Sequence, residues 1–135
     1  MADISFTATA VVANASGANQ FLDAVWGGSV TGGMPVYQHT DGKFYGALND
    51  TAAHAAVVGF ALSAGAAGQR GQIQTSGLMT LGSGMTAGVA YYCSANAGGI
   101  APVADLGSGK YVTVLGVAKS SSVLQIGLIV SATAL

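Results

Sequence analysis

The sequence predicts an all-β fold made of many short strands. Apolar and polar residues alternate over several segments, which is the period-two pattern of a strand with one buried face. Turn signals divide the chain into short pieces, and 21 of its 135 residues are Gly. Only 7% of the residues are charged, so the chain lacks the Glu, Lys and Arg that cover the exposed face of a long helix.

The first predicted strand covers residues 4–12. Ile4 and Phe6 point to one side of it, whereas Ser5 and Thr7 point to the other. We interpret this segment as a half-buried strand on an edge of the fold, or as an arm that reaches a neighbouring molecule by strand addition.

Two hairpins are predicted further along the chain. Asp41-Gly42 separates residues 36–38 from residues 44–45, and Gly98-Gly99 separates residues 91–94 from residues 100–103. Such dipeptides between apolar runs favour a tight β-turn.

Two more strands are predicted near the end of the chain. Residues 111–115 are aromatic and β-branched, a composition that favours strand. Residues 123–130 are almost apolar on both faces, which is typical of a central strand or of one covered on both sides.

Three short patterns recur in the same order and indicate an internal repeat. The pattern Thr-x-Gly-x-x-x-Tyr is found at 31–37 and again at 86–92. The pattern Val-x-Gly-x-Ala-x-Ser is found at 57–63 and 114–120, and Gln-Ile recurs at positions 72 and 125.

The repeat predicts two copies of one β-unit, at about residues 29–77 and 84–132. Gly59 and Gly116 mark a bulge or a close backbone approach inside the corresponding strands. We expect the units to form a small β-barrel or sandwich domain over residues 29–135, with residues 1–28 as an added strand or arm.

The charge composition excludes several function classes. The chain has four basic and five acidic residues, none of them Glu, and a formal net charge of -1. It therefore lacks the basic surface that binds nucleic acid, and no apolar run is long enough to span a membrane. A surface so poor in charge favours burial against other copies or a partner protein.

No catalytic constellation, cofactor motif or clear metal site is found, so we expect a protein that is not an enzyme. The most plausible metal ligands are His39, Asp41 and His54, but Asp41 is better explained as the first residue of the Asp-Gly turn. The single cysteine, Cys93, is expected to be a buried apolar residue.

Motifs over most of the chain resemble those of the head decoration, or capsid cement, proteins of tailed bacteriophages. They include Gln74-Thr75-Ser76-Gly77, Thr86-x-Gly88-x-x-Tyr91-Tyr92 and Gly98-Gly99-Ile100-x-Pro102. The resemblance implies a β-barrel-like or β-tulip-like homotrimer that binds the major capsid protein on the outer surface of the head. Similar modules are also found in tail fibres, so a tail-fibre or receptor-binding module that binds carbohydrate remains the alternative.

The sequence offers four candidate residues for a partner or capsid interface: Ile4, Phe6, Trp26 and Arg70. Trp26 is either a core residue between arm and barrel or an anchor in a partner, since Trp is enriched at binding hot spots. The N-terminus lacks a signal-peptide pattern, so we expect synthesis in the host cytoplasm and assembly into the virion.

Overall fold

The computed structural model describes residues 3–4, 6, 11–14, 17–82, 84–102 and 106–134, with only the backbone of the last three. Over these residues the chain is all-β, as the sequence predicts, and none of them forms a helix that could span a membrane. The predicted strand over residues 4–12 falls mainly outside the described residues, of which only Val12 belongs to a strand. Ten strands are described: β1 Val12–Ala13, β2 Gln20–Val25, β3 Pro35–Gln38, β4 Phe44–Gly46, β5 Val57–Ala61, β6 Arg70–Thr80, β7 Ala90–Cys93, β8 Ile100–Pro102, β9 Tyr111–Ala118 and β10 Val123–Ala134.

The strands form one curled antiparallel sheet in the order β4-β3-β5-β6-β10-β9-β7-β8. β6 connects its two parts. Residues 70–76 of β6 pair with β2, and residues 77–80 pair with β10. Gly77 at the change of partner has φ +98°, and a Cβ there would lie 2.7 Å from the Asn19 Cα, so only glycine fits this position.

Both predicted hairpins are confirmed. β3 pairs with β4, and β7 pairs with β8. In the first hairpin the His39 amide donates to the Lys43 carbonyl at 2.9 Å, and Gly42 has φ +82°. This is the three-residue loop geometry that ends on a left-handed glycine.

The sheet has the same strand order twice. The first unit, which comprises β2, β3, β4, β5 and residues 70–76 of β6, has the order β4-β3-β5-β6-β2. The second unit, which comprises residues 77–80 of β6 and β7 to β10, has the order β8-β7-β9-β10-β6. The final strand of the first unit therefore continues as the opening strand of the second.

The two units also share a register shift. In the first unit Val36 pairs with Gly59 and the next residue pairs with Val57. In the second unit Tyr91 pairs with Gly116 and the next residue pairs with Val114. The prediction that these two glycines mark a bulge is thus confirmed.

Equivalent backbone hydrogen bonds hold the two bulged strands. The Gly33 amide donates to the Ala61 carbonyl, and the Gly88 amide donates to the Ala118 carbonyl, each at 2.7 Å. The donors are 55 residues apart and the acceptors 57 apart, as are the repeated sequence patterns. A duplication of the sequence stays a prediction. β2 lies in residues 1–28, which the sequence assigns to an added strand or arm, and it pairs with β6 as a strand of the first unit.

The core has two parts. In the first unit Trp26 forms a bridge with Phe44 of β4, so the sheet curls until the end of β2 meets β4. Their side chains share a cluster with Val30, Val36 and Ile73. A larger cluster joins the two units, because it contains Val57 and Phe60 of β5 as well as second-unit residues such as Met79, Leu115 and Leu124.

Candidate functional site

The four interface residues that the sequence predicts form two pairs in the structure, Ile4 with Phe6 at the larger core cluster and Trp26 with Arg70 where the end of β2 meets the start of β6. Ile4 and Phe6 are partly buried against the larger core cluster, and the Ile4 amide donates to the Ile100 carbonyl at 2.9 Å. Part of their apolar surface is therefore used within the chain, and a partner contact at these two positions stays a prediction. Arg70 is exposed at the start of β6.

Trp26 is a core residue. None of its surface is exposed, and a Cβ on Gly71 would lie 2.6 Å from its indole ring. Gly65 also packs against the ring, so two residues without side chains make room for the largest one. The interpretation of Trp26 as an anchor in a partner is therefore wrong, and the alternative interpretation, a core residue, is confirmed.

An exposed strand edge is the first surface that could bind a partner. β2 pairs along its length with β6, whereas no described strand pairs with the opposite edge of Gln20–Val25. Phe21 and Leu22 on this strand are 48% and 44% exposed. Unpaired strand edges with apolar side chains are templates for pairing with another chain.

A cleft of about 570 Å³ lies between this strand and the β3–β4 hairpin. Leu22–Val25 form one wall, Gln38 and Phe44 belong to the other, and Arg70 contributes from β6. Asp23 and Arg70 have no ion-pair partner among the described residues. Over the described residues, the cleft thus combines an unpaired strand edge, apolar surface and one charge of each sign.

A second apolar surface lies on the last two strands. Val117 of β9 is 43% exposed, and Ile129 and Val130 of β10 are 66% and 44% exposed. Consecutive strand residues point to opposite faces, so this part of β10 is uncovered on both sides. The sequence predicts a central strand or one covered on both faces. β10 is a central strand of the sheet, as predicted, whereas Ile129 and Val130 are not covered.

A polar aromatic cluster covers one face of the β3–β4 hairpin. The rings of Tyr37 and Tyr45 are stacked with centroids 5.9 Å apart, and His54 packs on Tyr37 at 5.1 Å. His39 meets Tyr45 edge-on at 5.5 Å. Both histidines of the chain are therefore next to the same pair of tyrosines.

Hydrogen bonds fix the carboxylate of Asp41 within this cluster. The Tyr45 hydroxyl donates to it at 2.7 Å, and the Lys43 amide donates to it at 2.8 Å. These two bonds lower the pKa of Asp41 from its ordinary value, because they stabilise the charged form. The same contact raises the pKa of Tyr45, since losing the phenolic proton would place two negative charges together.

His39, Asp41 and His54, the most plausible metal ligands in the sequence, do not form one group in the structure. His39 lies 3.8 Å from Asp41, whereas His54 is hydrogen-bonded to Asp50 at 2.7 Å. Over the described part of the chain no three His, Cys, Asp or Glu side chains are grouped so that they could hold a metal ion.

Cys93 is buried, as predicted, with none of its surface exposed. Desolvation raises the pKa of its thiol to about 12, because an apolar environment disfavours the thiolate. The side chain therefore stays protonated and unreactive at neutral pH.

The exposed edge of β2 is not predicted by the sequence patterns. The segment Gln20–Val25 alternates weakly, but Phe21 and Leu22 are adjacent apolar residues, so both faces carry one. An aromatic residue beside an aliphatic one, between Asn19 and Gly27, was the available signal for a short strand.

No family model matches the chain. Searches for similar curated proteins and for similar solved structures likewise give no significant match.

Proposed function

We propose that this protein is a decoration, or cement, protein of a bacteriophage head, and that it is not an enzyme. It would bind the outer surface of the capsid and stabilise the lattice of the major capsid protein. Six exposed large hydrophobic side chains in a nearly uncharged chain carry the proposal: Val12, Phe21, Leu22, Val117, Ile129 and Val130.

The mechanism follows from where these side chains lie. They belong to β1, β2, β9 and β10, so they sit on a rigid sheet and not on loop tips. Docking a surface that is carried on strands and holds few charges loses little conformational entropy and requires little desolvation of ions. Many copies that each bind weakly to a symmetric lattice would then bind strongly together through avidity.

Self-association belongs to the same proposal. A homotrimer would bury part of the apolar surface before the protein meets the capsid, as closed symmetric oligomers do. Light scattering should then give a mass near three times the 13.2 kDa of one chain.

Cosedimentation with expanded capsids tests the proposal. Ile129→Asp places a charge on the most exposed of the six apolar residues and should abolish binding. Ser63→Asp adds the same charge on an exposed residue between β5 and β6 and should leave binding unchanged. A wild-type protein that stays in the supernatant at every capsid concentration would refute the proposal.

The aromatic cluster favours a second candidate function, a tail-fibre or receptor-binding module that binds carbohydrate. Tyr45 and His39 offer rings for the apolar face of a sugar, and the Asp41 carboxylate held beside them could accept hydroxyl hydrogen bonds. A protein that ignores capsids but binds host cells, and loses that binding on Asp41→Asn, would favour this alternative.

A further inference from the structure

The free edge of β2 has an internal counterpart whose edge is covered. Residues 77–80 of β6 hold the same place in the second unit that β2 holds in the first. Strand pairing gives the correspondence: Phe60, one residue after Gly59, pairs with Gln74, and Val117, one residue after Gly116, pairs with Gln125. On this alignment Gln72 corresponds to Val123, so Asp23, the partner of Gln72, corresponds to Thr80, the partner of Val123. On the opposite edge Thr80 pairs with Val12 of β1, whereas Asp23 has no such partner among the described residues.

The side chains at corresponding positions of the covered and the uncovered strand differ in burial. Met79, paired with Ala13 of β1, has no exposed surface, and its counterpart Leu22 is 44% exposed. Among the residues that the structure describes, the same position in the sheet is therefore covered in the second unit and uncovered in the first. The open edge is the one that borders the cleft of about 570 Å³.

We propose that the open edge of β2 binds an extended segment of a partner protein as an additional antiparallel strand. The register of β1 on β6 gives the register of that segment. Its residues would lie opposite Asp23 and Leu22, as Val12 and Ala13 lie opposite Thr80 and Met79.

The two unpaired charges define the chemistry of the segment. Asp23 and Val25 lie on one face of β2, and Arg70 is the partner of Val25 on β6, so all three point to the same side. A basic residue opposite Asp23 and an acidic residue opposite Val25, within reach of Arg70, would complement this face. Because the added strand is antiparallel, its sequence reads acidic, any residue, basic.

A second copy of this chain does not supply that segment. The pattern occurs once in the sequence, at Asp41-Gly42-Lys43. There it forms the loop of the β3–β4 hairpin, with Gly42 at φ +82° and Asp41 bonded to Tyr45. The occupant is therefore a different polypeptide. This inference relies on the proposed docking function only for the existence of such a partner.

A synthetic peptide tests the inference on the intact protein without capsids. The probe is the capped peptide Thr-Glu-Val-Lys-Ala-Asn-Thr, which keeps the Val, Ala and Asn of residues 11, 13 and 14. The matched control peptide exchanges its Glu and Lys. The matched protein variant is the double exchange Asp23→Lys and Arg70→Glu, which alters only exposed side chains.

Amide NMR titration should show saturable binding, with shifts concentrated in β2. The exchange variant should bind the first peptide about tenfold more weakly, and the control peptide about tenfold more tightly, than the wild type does. Equal affinity of both peptides for both proteins, or no binding of either, would overturn the inference. So would pairing of two copies through β2, detected as a dimer that Leu22→Lys dissociates. Capsid cosedimentation is measured separately, so a failed peptide titration does not decide the proposed function.

Discussion

Adding one methyl group at Gly59 or Gly116 should destabilise the protein, because both glycines lie against a neighbouring strand. An ideal Cβ on Gly59 would contact the Ile73 side chain and lie 2.6 Å from the Gln74 carbonyl oxygen. Ile73 is fully buried, so it has no room to turn away. An ideal Cβ on Gly116 would contact the Gln125 carbonyl oxygen and lie 3.0 Å from the carbonyl carbon.

The size of the effect follows from what must move. Overpacking a close contact costs about 1–3 kcal/mol. Gly59→Ala presses on both a side chain and the backbone of β6, whereas Gly116→Ala presses on the backbone of β10 alone. Since the backbone of β10 is held by pairing with β6 and β9, we expect both variants to lose about 2–3 kcal/mol.

Gly127→Ala is the matched control. Gly127 lies in β10, is exposed, and has no atom within 4 Å of an added Cβ. Its substitution should be neutral or stabilising by about 0.4–1 kcal/mol, because alanine reduces the entropy of the unfolded chain.

Urea denaturation followed by far-UV circular dichroism measures the three free energies of unfolding. The midpoints of Gly59→Ala and Gly116→Ala should fall at an unchanged slope. If both variants stay within about 0.5 kcal/mol of wild type, the close strand contacts are wrong. If only one is destabilised, the two bulged strands do not share the packing described above.

Three further predictions concern single side chains. Trp26→Ala should cost about 3–5 kcal/mol of unfolding free energy by circular dichroism, and Phe21→Ala, which truncates a half-exposed ring, should cost much less; equal losses would contradict the burial of Trp26. Cys93 should resist iodoacetamide at pH 8.5 in the native protein and react in urea, since burial raises its pKa to about 12. The contribution of the buried thiol to the free energy of unfolding should be complete below pH 9 and should decline as the pH rises from 9 toward 12. Rapid labelling of the native protein would contradict this. Tyr45→Phe should raise the pKa of Asp41 in a carboxyl NMR titration, because it removes the hydrogen bond that favours the carboxylate. In the wild type, the stabilisation of the fold by this hydrogen bond is present above pH 4 and is lost as the pH falls through the lowered pKa. An unchanged titration would exclude the bond.

The sequence predicts the strands better than it predicts the surface. Alternation and turn dipeptides depend on neighbouring residues, so both hairpins and the bulge glycines Gly59 and Gly116 could be placed from the sequence. The repeated patterns also lie in strands of equivalent position. Local patterns of this kind are visible in the sequence because the forces behind them act over a few residues.

The candidate site depends on contacts between distant residues, and there the sequence is less informative. Trp26 is equally compatible with a core and with an interface until Gly65 and Gly71 are seen against its ring. The open edge of β2 follows from the pairing of β1 with the other unit, which no local pattern encodes. The tyrosine and histidine cluster likewise joins the β3–β4 hairpin to the turn that carries His54.

Because both units share β6, this strand affects how the protein unfolds and how it can be divided into fragments. Each unit includes a segment of this one strand, so a unit expressed without its own β6 segment is an incomplete sheet. Expressed as separate fragments, residues 17–76 would keep all their strands, whereas residues 84–134 would lack the β6 segment that covers β10. The second fragment should therefore aggregate alone and recover solubility when the missing segment is supplied in trans. For the whole chain, a strand common to both halves couples their unfolding, so heat should melt the protein in one cooperative transition.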